Sequence, residues 1–583
     1  MLGSVSRLRR LLLTAGWAMA ACAGTAATAQ SSAPVRASKQ LVVSANSHAS
    51  EAGRAILRAG GGAVDAAIAV QLVLTLVEPQ SSGIGGGAFM LFYEERAAGR
   101  DAGITAYEGR ETAPAAATPD MFLGANGRPE PFNTVGVGGL AVGVPGALRM
   151  LESAHREHGR LPWADLFTPA IELAENGFEV SPRLFGLLNG FKRFARGDDF
   201  RGYFYDATGE AHPVGYRLKN PEYAAALKLL AAGGAEPMHT GELAAAIAAE
   251  VRDNNVRPGR MTQRDLASYE PHVSAPLCTP YRTWRVCGPH LPSSGGVTTQ
   301  QVLGMLARFE LPDIRTQPVQ AIHLFAEANR LAFADRNAYL GDPQFVTAPV
   351  AALLDAGYLG ARAALIDPQK AMATIAPGEP LPAAAWQFAP GTASERPSTS
   401  HFSVVDRFGD AVAMTTSVQG AFGSQLMVGG FILNNQLTDF DYVPTVGGRP
   451  VPNRVEGGKR PLSSMSPTMV LDDRGRLRLL VGSPGGTRII GFVAQSIVGV
   501  VDWKLDVQQA VAAPHFLAEE GPVEIEEGTA IAAHEQALEA LGHTVAVNDM
   551  NSGLHAIAIE HTRRGRVLFG GVDPRREGVA LGD

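Results

Sequence analysis

The feature that most constrains this chain is a change of texture at residue 399. From Ile375 to Ser398 the sequence is rich in Pro, Ala and Gly, shows little periodicity, and reads as an exposed, mobile segment. At Thr399-Ser400-His401-Phe402-Ser403-Val404-Val405-Asp406 an apolar run starts abruptly, with a small hydroxyl residue at its head. Downstream, short apolar runs alternate with Asp/Gly turns. His401 to Asp406 and Ala411 to Val418 read as one hairpin, Thr468 to Leu471 and Leu477 to Val481 as a second, His555 to Glu560 and Val567 to Gly570 as a third. Helical spacing fits Gly491 to Val500, Val507 to Ala513 and His534 to Leu541. Upstream, Ala49 to Ala59 and Val64 to Thr75 read as helices. The stretch from about 140 to 374 is mostly helical, including Ala164 to Asn176, Pro221 to Ala232 and Gly241 to Arg252. Pro292-Ser293-Ser294-Gly295-Gly296 reads as a tight loop before a helix from Thr298 to Phe309. Strands and helices on both sides of residue 399 imply sheets covered by helices.

A threonine at such a boundary has a chemical meaning. Its hydroxyl is a weak nucleophile without an adjacent base. A chain that begins at Thr399 carries that base itself, because a free α-amine titrates near ~7.7–8.0. Its β-branch restricts χ1 and holds the hydroxyl near the amine. Attack of Thr399 Oγ on the Ser398 carbonyl, with water resolving the ester, would generate that terminus.

The N-terminus is expected to be a leader. Arg7, Arg9 and Arg10 precede an apolar stretch from Leu11 to Ala21, and small residues end in Ala27-Thr28-Ala29. This is the pattern of a secretory signal over 1–29, which places the mature protein in the periplasm or outside the cell. An anchor through Cys22 is the minor alternative, since Met19-Ala20-Ala21-Cys22 matches a lipoprotein box poorly. No later stretch is long and apolar enough to span a bilayer. Beyond the leader two cysteines remain, Cys278 and Cys287, flanking a hairpin-like segment; in an oxidising compartment they could pair across it. A net charge of −7 with 18% charged residues gives no basic face for nucleic acid. No His/Cys/carboxylate spacing suggests a metal, and no cofactor is expected. Gly83-Ile84-Gly85-Gly86-Gly87-Ala88 precedes a strand-like run instead of a helix, so close backbone packing explains it better than phosphate binding.

Six stretches occur in the order found in one family: Glu108-Gly109-Arg110-Glu111-Thr112-Ala113-Pro114; Pro292 to Gly296; Thr399 to Asp406; Asn434-Asn435-Gln436-Leu437-Thr438-Asp439-Phe440; Lys459-Arg460-Pro461-Leu462-Ser463-Ser464-Met465-Ser466-Pro467; and Gly482-Ser483-Pro484-Gly485-Gly486-Thr487-Arg488. With them the chain, from Ala49 to Pro574, resembles the γ-glutamyltransferases of the N-terminal-nucleophile hydrolase superfamily. The resemblance implies a four-layer αββα sandwich, made as a precursor that cuts itself at Ser398-Thr399. A large subunit (30–398) and a small one (399–583) would then remain together as a heterodimer. It implies Thr399 as nucleophile, Ser417 as its hydroxyl support, and Gly485 and Gly486 as the oxyanion hole. Arg110, Ser463 and Ser464 would hold the substrate α-carboxylate, and Gln419, Gln436 and Asp439 its α-amine. The expected donor is glutathione or another γ-glutamyl amide, with water, an amino acid or a peptide as acceptor.

Ser417 stands where the family usually has Thr, Gln419 where it has Asn, and Thr438 where an Asp is common; the stretch from Tyr442 to Gly458 is shorter than in members with a lid. These departures bear on acyl specificity, so a glutaryl- or cephalosporin-type amidase is the alternative. The non-enzyme alternative is a self-cut but inactive periplasmic binding protein. It is disfavoured because every matched position carries a chemically competent side chain.

Overall fold

The computed structural model describes residues 33–95, 103–382, 386–392 and 395–583. The leader at 1–29 and the alternative anchor Cys22 fall outside the described residues. The unit from Ala33 to Asp583 is built on two seven-stranded sheets. One runs Val579–Gly582, Leu41–Ser44, Ser400–Val405, Ala411–Ser417, Gly87–Tyr93, Ile104–Gly109, His272–Ser274, antiparallel throughout. The other runs Val35–Ala37, Gly565–Val572, His555–Thr562, Leu477–Gly482, Thr468–Leu471, Trp284–Gly288, Leu277–Tyr281, again antiparallel.

Both sheets are buried on both faces, and the period-2 alternation of strand side chains sorts the residues into layers. Leu41, Val43, Leu91, Val405, Ala413, Met469, Leu480 and Ile557 meet in one cluster between the sheets. Their neighbours Val42, Met90, Phe92, Phe402, Val404 and Met414 face the helices Ser47–Arg58 and Ala63–Val77 instead. On the far side Val286, Val470, Leu479 and Val481 pack under Ser294–Leu306, Pro318–Tyr339 and Ile489–Val501. The result is helix, sheet, sheet, helix: the αββα order the resemblance implied. Double burial also explains why strands such as Gly87–Tyr93 read as unbroken apolar runs.

All fifteen residues of Ala63–Val77 are buried, as a helix apolar all round must be. It delivers the turn Glu78–Ser82 to the N-terminal end of the Thr399 strand. Immediately after it the glycine run serves close packing: a Cβ on Gly86 would sit 2.1 Å from the Ser417 carbonyl oxygen. Gly86→Ala is therefore expected to lower stability by about 3 kcal/mol, at the upper end for overpacking, and to shift the neighbouring Ser417. A urea melt checks the first effect; an unchanged midpoint would show that the strand yields freely. Cys278 and Cys287 face each other across the hairpin Leu277–Tyr281/Trp284–Gly288 and are disulfide-bonded.

Two expectations need correction. The Pro292–Gly296 stretch is not a loop ahead of a helix starting at Thr298; the helix starts at Ser294. Ser293 caps it through Oγ to the Gly295 N–H (3.1 Å), and Ser294 is anchored to the Ser463 carbonyl through both N–H (2.6 Å) and Oγ (2.7 Å). Those contacts outweigh the low helix propensity of Gly295-Gly296. Nor is 375–398 simply exposed. Phe388, Ala389, Gly391, Glu395 and Ser398 are buried, with the Ala389 N–H on the Pro450 carbonyl and the Thr392 N–H on Asp441 Oδ1. A tract without periodicity can still be pinned by backbone and carboxylate contacts.

Candidate active site

Thr399 stands one residue before the strand Ser400–Val405, at the end reached by the Glu78–Ser82 turn. Its N–H donates to the Ser81 carbonyl (3.2 Å) and its carbonyl accepts from Arg576 Nη1 (3.1 Å). Its Oγ1 donates to Ser417 Oγ at 3.0 Å, and Ser417 Oγ also accepts from the Gln419 N–H at 2.8 Å. The hydroxyl proton therefore already points along a path away from the oxygen. Thr399 has φ of 85°, a left-handed conformation that a β-branched residue rarely adopts. Such strain is on the order of 1–3 kcal/mol, and it sits on the N–Cα bond next to the Ser398–Thr399 peptide. Cutting that peptide would release it.

The Ser398 carbonyl oxygen accepts a hydrogen bond from the Gly485 N–H at 3.1 Å, and Ser398 Oγ donates to the Gln80 carbonyl at 3.0 Å. Gly485 has φ of 140° and Gly486 of 63°, so a side chain at either would be strained. A Cβ on Gly486 would also lie 2.6 Å from the Glu395 carbonyl oxygen. The glycine pair thus lies flat against the segment that precedes Thr399. A hydroxyl on one side of the Ser398 carbonyl and an N–H donor on its oxygen make a geometry suited to acyl transfer.

A second, polar cluster centres on Asp439, in the short 3-10 turn Gln436–Asp439. Its Oδ2 accepts from Arg110 Nη2 (2.8 Å) and Gln436 Nε2 (2.7 Å), and its Oδ1 accepts from Gln419 Nε2 (2.7 Å). Arg110 is wholly buried and also donates Nε to the Pro461 carbonyl and Nη2 to the Leu462 carbonyl, at 3.0 and 2.7 Å. Arg110 Nη1, Gln419 Oε1 and Gln436 Oε1 are buried without a hydrogen-bond partner among the described residues. Beside them burial pushes the Glu111 carboxyl up to about 8, only partly offset by Arg110. The two serines differ. Ser463 Oγ accepts from the Met465 N–H (3.1 Å), whereas Ser464 presents both N–H (2.9 Å) and Oγ (2.7 Å) to the carboxylate of Glu395.

Every matched residue from the sequence reading is buried: Thr399, Ser417, Gly485 and Gly486 around the Ser398 carbonyl, Arg110, Gln419, Gln436 and Asp439 around one carboxylate, and Ser463 and Ser464 in the stretch that follows the Pro461 and Leu462 carbonyls on Arg110. Arg110 and Asp439, assigned to opposite ends of a ligand, are paired with each other here. Two arginines were not foreseen. Arg576 lies on the Thr399 carbonyl, and burial lowers its guanidinium to about 9. Arg336, on Pro318–Tyr339, is ion-paired to Glu395 at 2.9 Å. Nothing local marks either residue; only the tertiary fold makes them neighbours of Thr399. The stretch Tyr442–Gly458 forms a small hairpin, Thr445–Val446 with Arg449–Pro450. A cavity of 290 Å³ lies beside the site, lined by Glu395, Arg396, Pro397, Gly485, Thr487, Arg488, Glu519 and Glu524 among others. Among the described residues no cluster of side chains could hold a metal ion, and no helix is long and apolar enough to cross a membrane.

Comparison with known proteins gives consistent results. The family model described as Gamma-glutamyltranspeptidase matches residues 49–583. A glutathione hydrolase proenzyme of Bacillus subtilis (strain 168) is 35% identical over 557 residues, spanning 93% of this chain and 91% of the relative. An Acylase ACY 1 proenzyme of Pseudomonas sp. (strain SE83) is 36% identical over 534 residues, 90% of each chain. Among solved structures, cephalosporin acylase from Bacillus halodurans superposes with a TM-score of 0.82 at 28% identity, covering 94% of this chain and 97% of that one.

Proposed function

The chain belongs to the gamma-glutamyltranspeptidase family, and from that premise we propose that it is a self-maturing amidase and acyltransferase whose preferred donors are γ-glutamyl amides such as glutathione. Maturation starts when Thr399 Oγ attacks the Ser398 carbonyl carbon. Its proton leaves towards Ser417 Oγ, and the oxyanion forms on the Gly485 N–H. The C–N bond breaks, the Thr399 nitrogen takes up a proton as an amine, and the acyl group rests on Oγ as an ester. Water hydrolyses the ester, leaving a carboxylate at Ser398 and a free hydroxyl and α-amine on Thr399. The large and small chains stay together, because Ser400–Val405 and Ala411–Ser417 of the small chain pair with Leu41–Ser44 and Gly87–Tyr93 of the large one.

The same atoms then serve the substrate. The α-amine takes the Oγ proton as the hydroxyl attacks the γ-carbonyl, whose oxygen replaces that of Ser398 on Gly485, with the Gly486 N–H beside it. The proton passes to the leaving amine. The γ-glutamyl ester is resolved by water, or by the amino group of an amino acid or peptide.

The choice of donor rests on the acceptors around Asp439. A carboxylate offers about four lone-pair sites, and Arg110, Gln436 and Gln419 use three of them. The remaining one on Oδ1, with the two unpartnered amide oxygens of Gln419 and Gln436, makes three acceptors for the three N–H bonds of an α-ammonium. Arg110 Nη1, which makes no hydrogen bond and lies 3.7 Å from Glu111 Oε2, is available to a substrate carboxylate. A glutaryl group, which has no ammonium, would leave those acceptors unpaired. The second reading, a glutaryl- or cephalosporin-type acylase, is favoured by the 36% identity to Acylase ACY 1 and by the acylase superposition. The proposal includes export to the periplasm or medium. The leader-like sequence and the Cys278–Cys287 disulfide support it.

The test joins intact mass under denaturing conditions with kinetics on paired anilides. The expected result is two chains, the smaller beginning at Thr399, and a kcat/KM for γ-glutamyl p-nitroanilide above that for glutaryl p-nitroanilide. A single chain would sink the maturation reading, and preference for the glutaryl compound would establish the acylase reading in its place.

A further inference from the structure

The segment ahead of Thr399 carries its own carboxylate into the site. Glu395 Oε1 accepts from Ser464 Oγ (2.7 Å) and Arg336 Nη2 (2.9 Å), and Oε2 accepts from the Ser464 N–H (2.9 Å). Arg336 is held for this contact. Its Nε donates to Ser294 Oγ (2.9 Å), Nη1 to Asn337 Oδ1 (2.9 Å), and Nη2 also to Ser464 Oγ (3.1 Å). Ser294 Oγ in turn donates to the Ser463 carbonyl, so helix and serine pair form one frame.

Position makes the contact more than an ordinary buried ion pair. Gly485 carries the Ser398 carbonyl and Gly486 lies under the Glu395 carbonyl. Adjacent Cα atoms are only ~3.8 Å apart, so the segment curls back on itself. Glu395 therefore rests on the same glycine pair that holds the scissile carbonyl. Arg110 acts on the same carboxylate through space, as does Asp439 with opposite sign. Glu395 is also the one carboxylate within ion-pair distance of Arg336 among the described residues. Arg336 is 1% exposed. A buried guanidinium that loses its partner is strongly destabilised, so departure of the segment leaves a place that demands another anion.

We propose that Arg336 completes the carboxylate subsite begun by Ser464, and that Glu395 fills this subsite in the uncut chain as an internal stand-in for the carboxylate of the acyl donor. The inference rests on the amidase reading above and adds to it a specificity-determining residue and a reason why the precursor is closed to substrate. Cutting at Ser398–Thr399 frees the segment to withdraw Glu395. The 290 Å³ cavity that the segment walls off at Gly485 would then open towards Thr399.

Two measurements test it. In the first, glutarate is titrated by calorimetry into the uncut Thr399→Ala protein and into Thr399→Ala/Glu395→Ala. The expectation is at least about 30-fold tighter binding to the double variant, the order expected when an internal competitor for a charged site is removed. Equal binding would overturn the stand-in role. If the alanine variant does not fold, Glu395→Gln keeps the shape and should show the same direction. In the second, processed wild type and Arg336→Lys are compared on γ-glutamyl p-nitroanilide and on 4-aminobutyryl p-nitroanilide, the same acyl group without its α-carboxylate. Arg336→Lys loses the paired donors and is expected to lose about 10- to 100-fold in kcat/KM on the first, mainly through KM. The second substrate should change by less than about 3-fold. Parallel losses on both would mean that Arg336 is structural and would overturn its assignment. A protein that turned over neither anilide would fail as an amidase, yet the glutarate titration would still decide who occupies the subsite.

Discussion

Thr399→Ala is expected to yield one uncut chain where the parent yields two, and to lower amide turnover by at least about 10⁴-fold, the scale seen when a nucleophile is removed. Both effects have one cause. The hydroxyl that lies beside the Ser398 carbonyl is also the one that the proposed reaction uses after the cut, and alanine removes it from both. Thr399→Ser separates the effects. It keeps the oxygen but loses the β-branch that restricts χ1, so it should still mature, more slowly, and retain measurable turnover. Ser417→Ala removes the oxygen that accepts the Thr399 proton at 3.0 Å. It should slow maturation while leaving the chain foldable, since the strand Ala411–Ser417 keeps its pairing to Gly87–Tyr93. The readouts are intact mass against time and p-nitroaniline release. A Thr399→Ala protein that still appeared as two chains would move the attacking group elsewhere, with Ser398 and Ser400 as the adjacent hydroxyls to examine.

The layers and the matched motifs were legible in the sequence; the contacts between motifs were not. The Thr399 hairpin and the helices Ser47–Arg58 and Ala63–Val77 follow from apolar periodicity and Gly or Asp stops, which are local signals. Gly485 and Gly486 were placed by motif order, but only the fold puts the Gly485 N–H on the Ser398 carbonyl. Arg336 reads as one charge among several on Pro318–Tyr339 until its neighbours are seen to be the serine pair and a glutamate 59 residues away. The segment before Thr399 misled most. Low periodicity predicts exposure, and no local rule tells that one of its acids is bound by a distant serine and arginine. The Ser294 helix start was missed for a similar reason, because the contacts that anchor Ser293 and Ser294 are to Met465 and Ser463.

Asp439→Asn is expected to invert the donor preference without removing the reaction. In the parent, Asp439 supplies the negative charge and one of three acceptors around the proposed ammonium site. Asparagine keeps the shape but removes the charge, and its Nδ2 is a donor facing Arg110 or one of the two amide Nε2 groups. Loss of a buried partner to a charged group costs about 2–5 kcal/mol, which at ~1.36 kcal/mol per tenfold places the fall in kcat/KM for γ-glutamyl p-nitroanilide at about 30- to 5,000-fold. A glutaryl anilide makes no ammonium contact, so its kcat/KM should fall by less than about 3-fold, and the ratio of the two donors should drop by at least about 10-fold. Stability must be followed in parallel. Arg110 is wholly buried, and burial pushes the carboxyl of its other neighbour, Glu111, up to about 8. Removing the Asp439 charge takes away the carboxylate that Arg110 Nη2 meets at 2.8 Å, at a cost on the order of 3 kcal/mol. Rates are to be compared well below the melting temperature of the variant. Equal falls for both donors would show that Asp439 serves only to hold Arg110 in place, and the ammonium assignment would be lost along with the preference for γ-glutamyl donors.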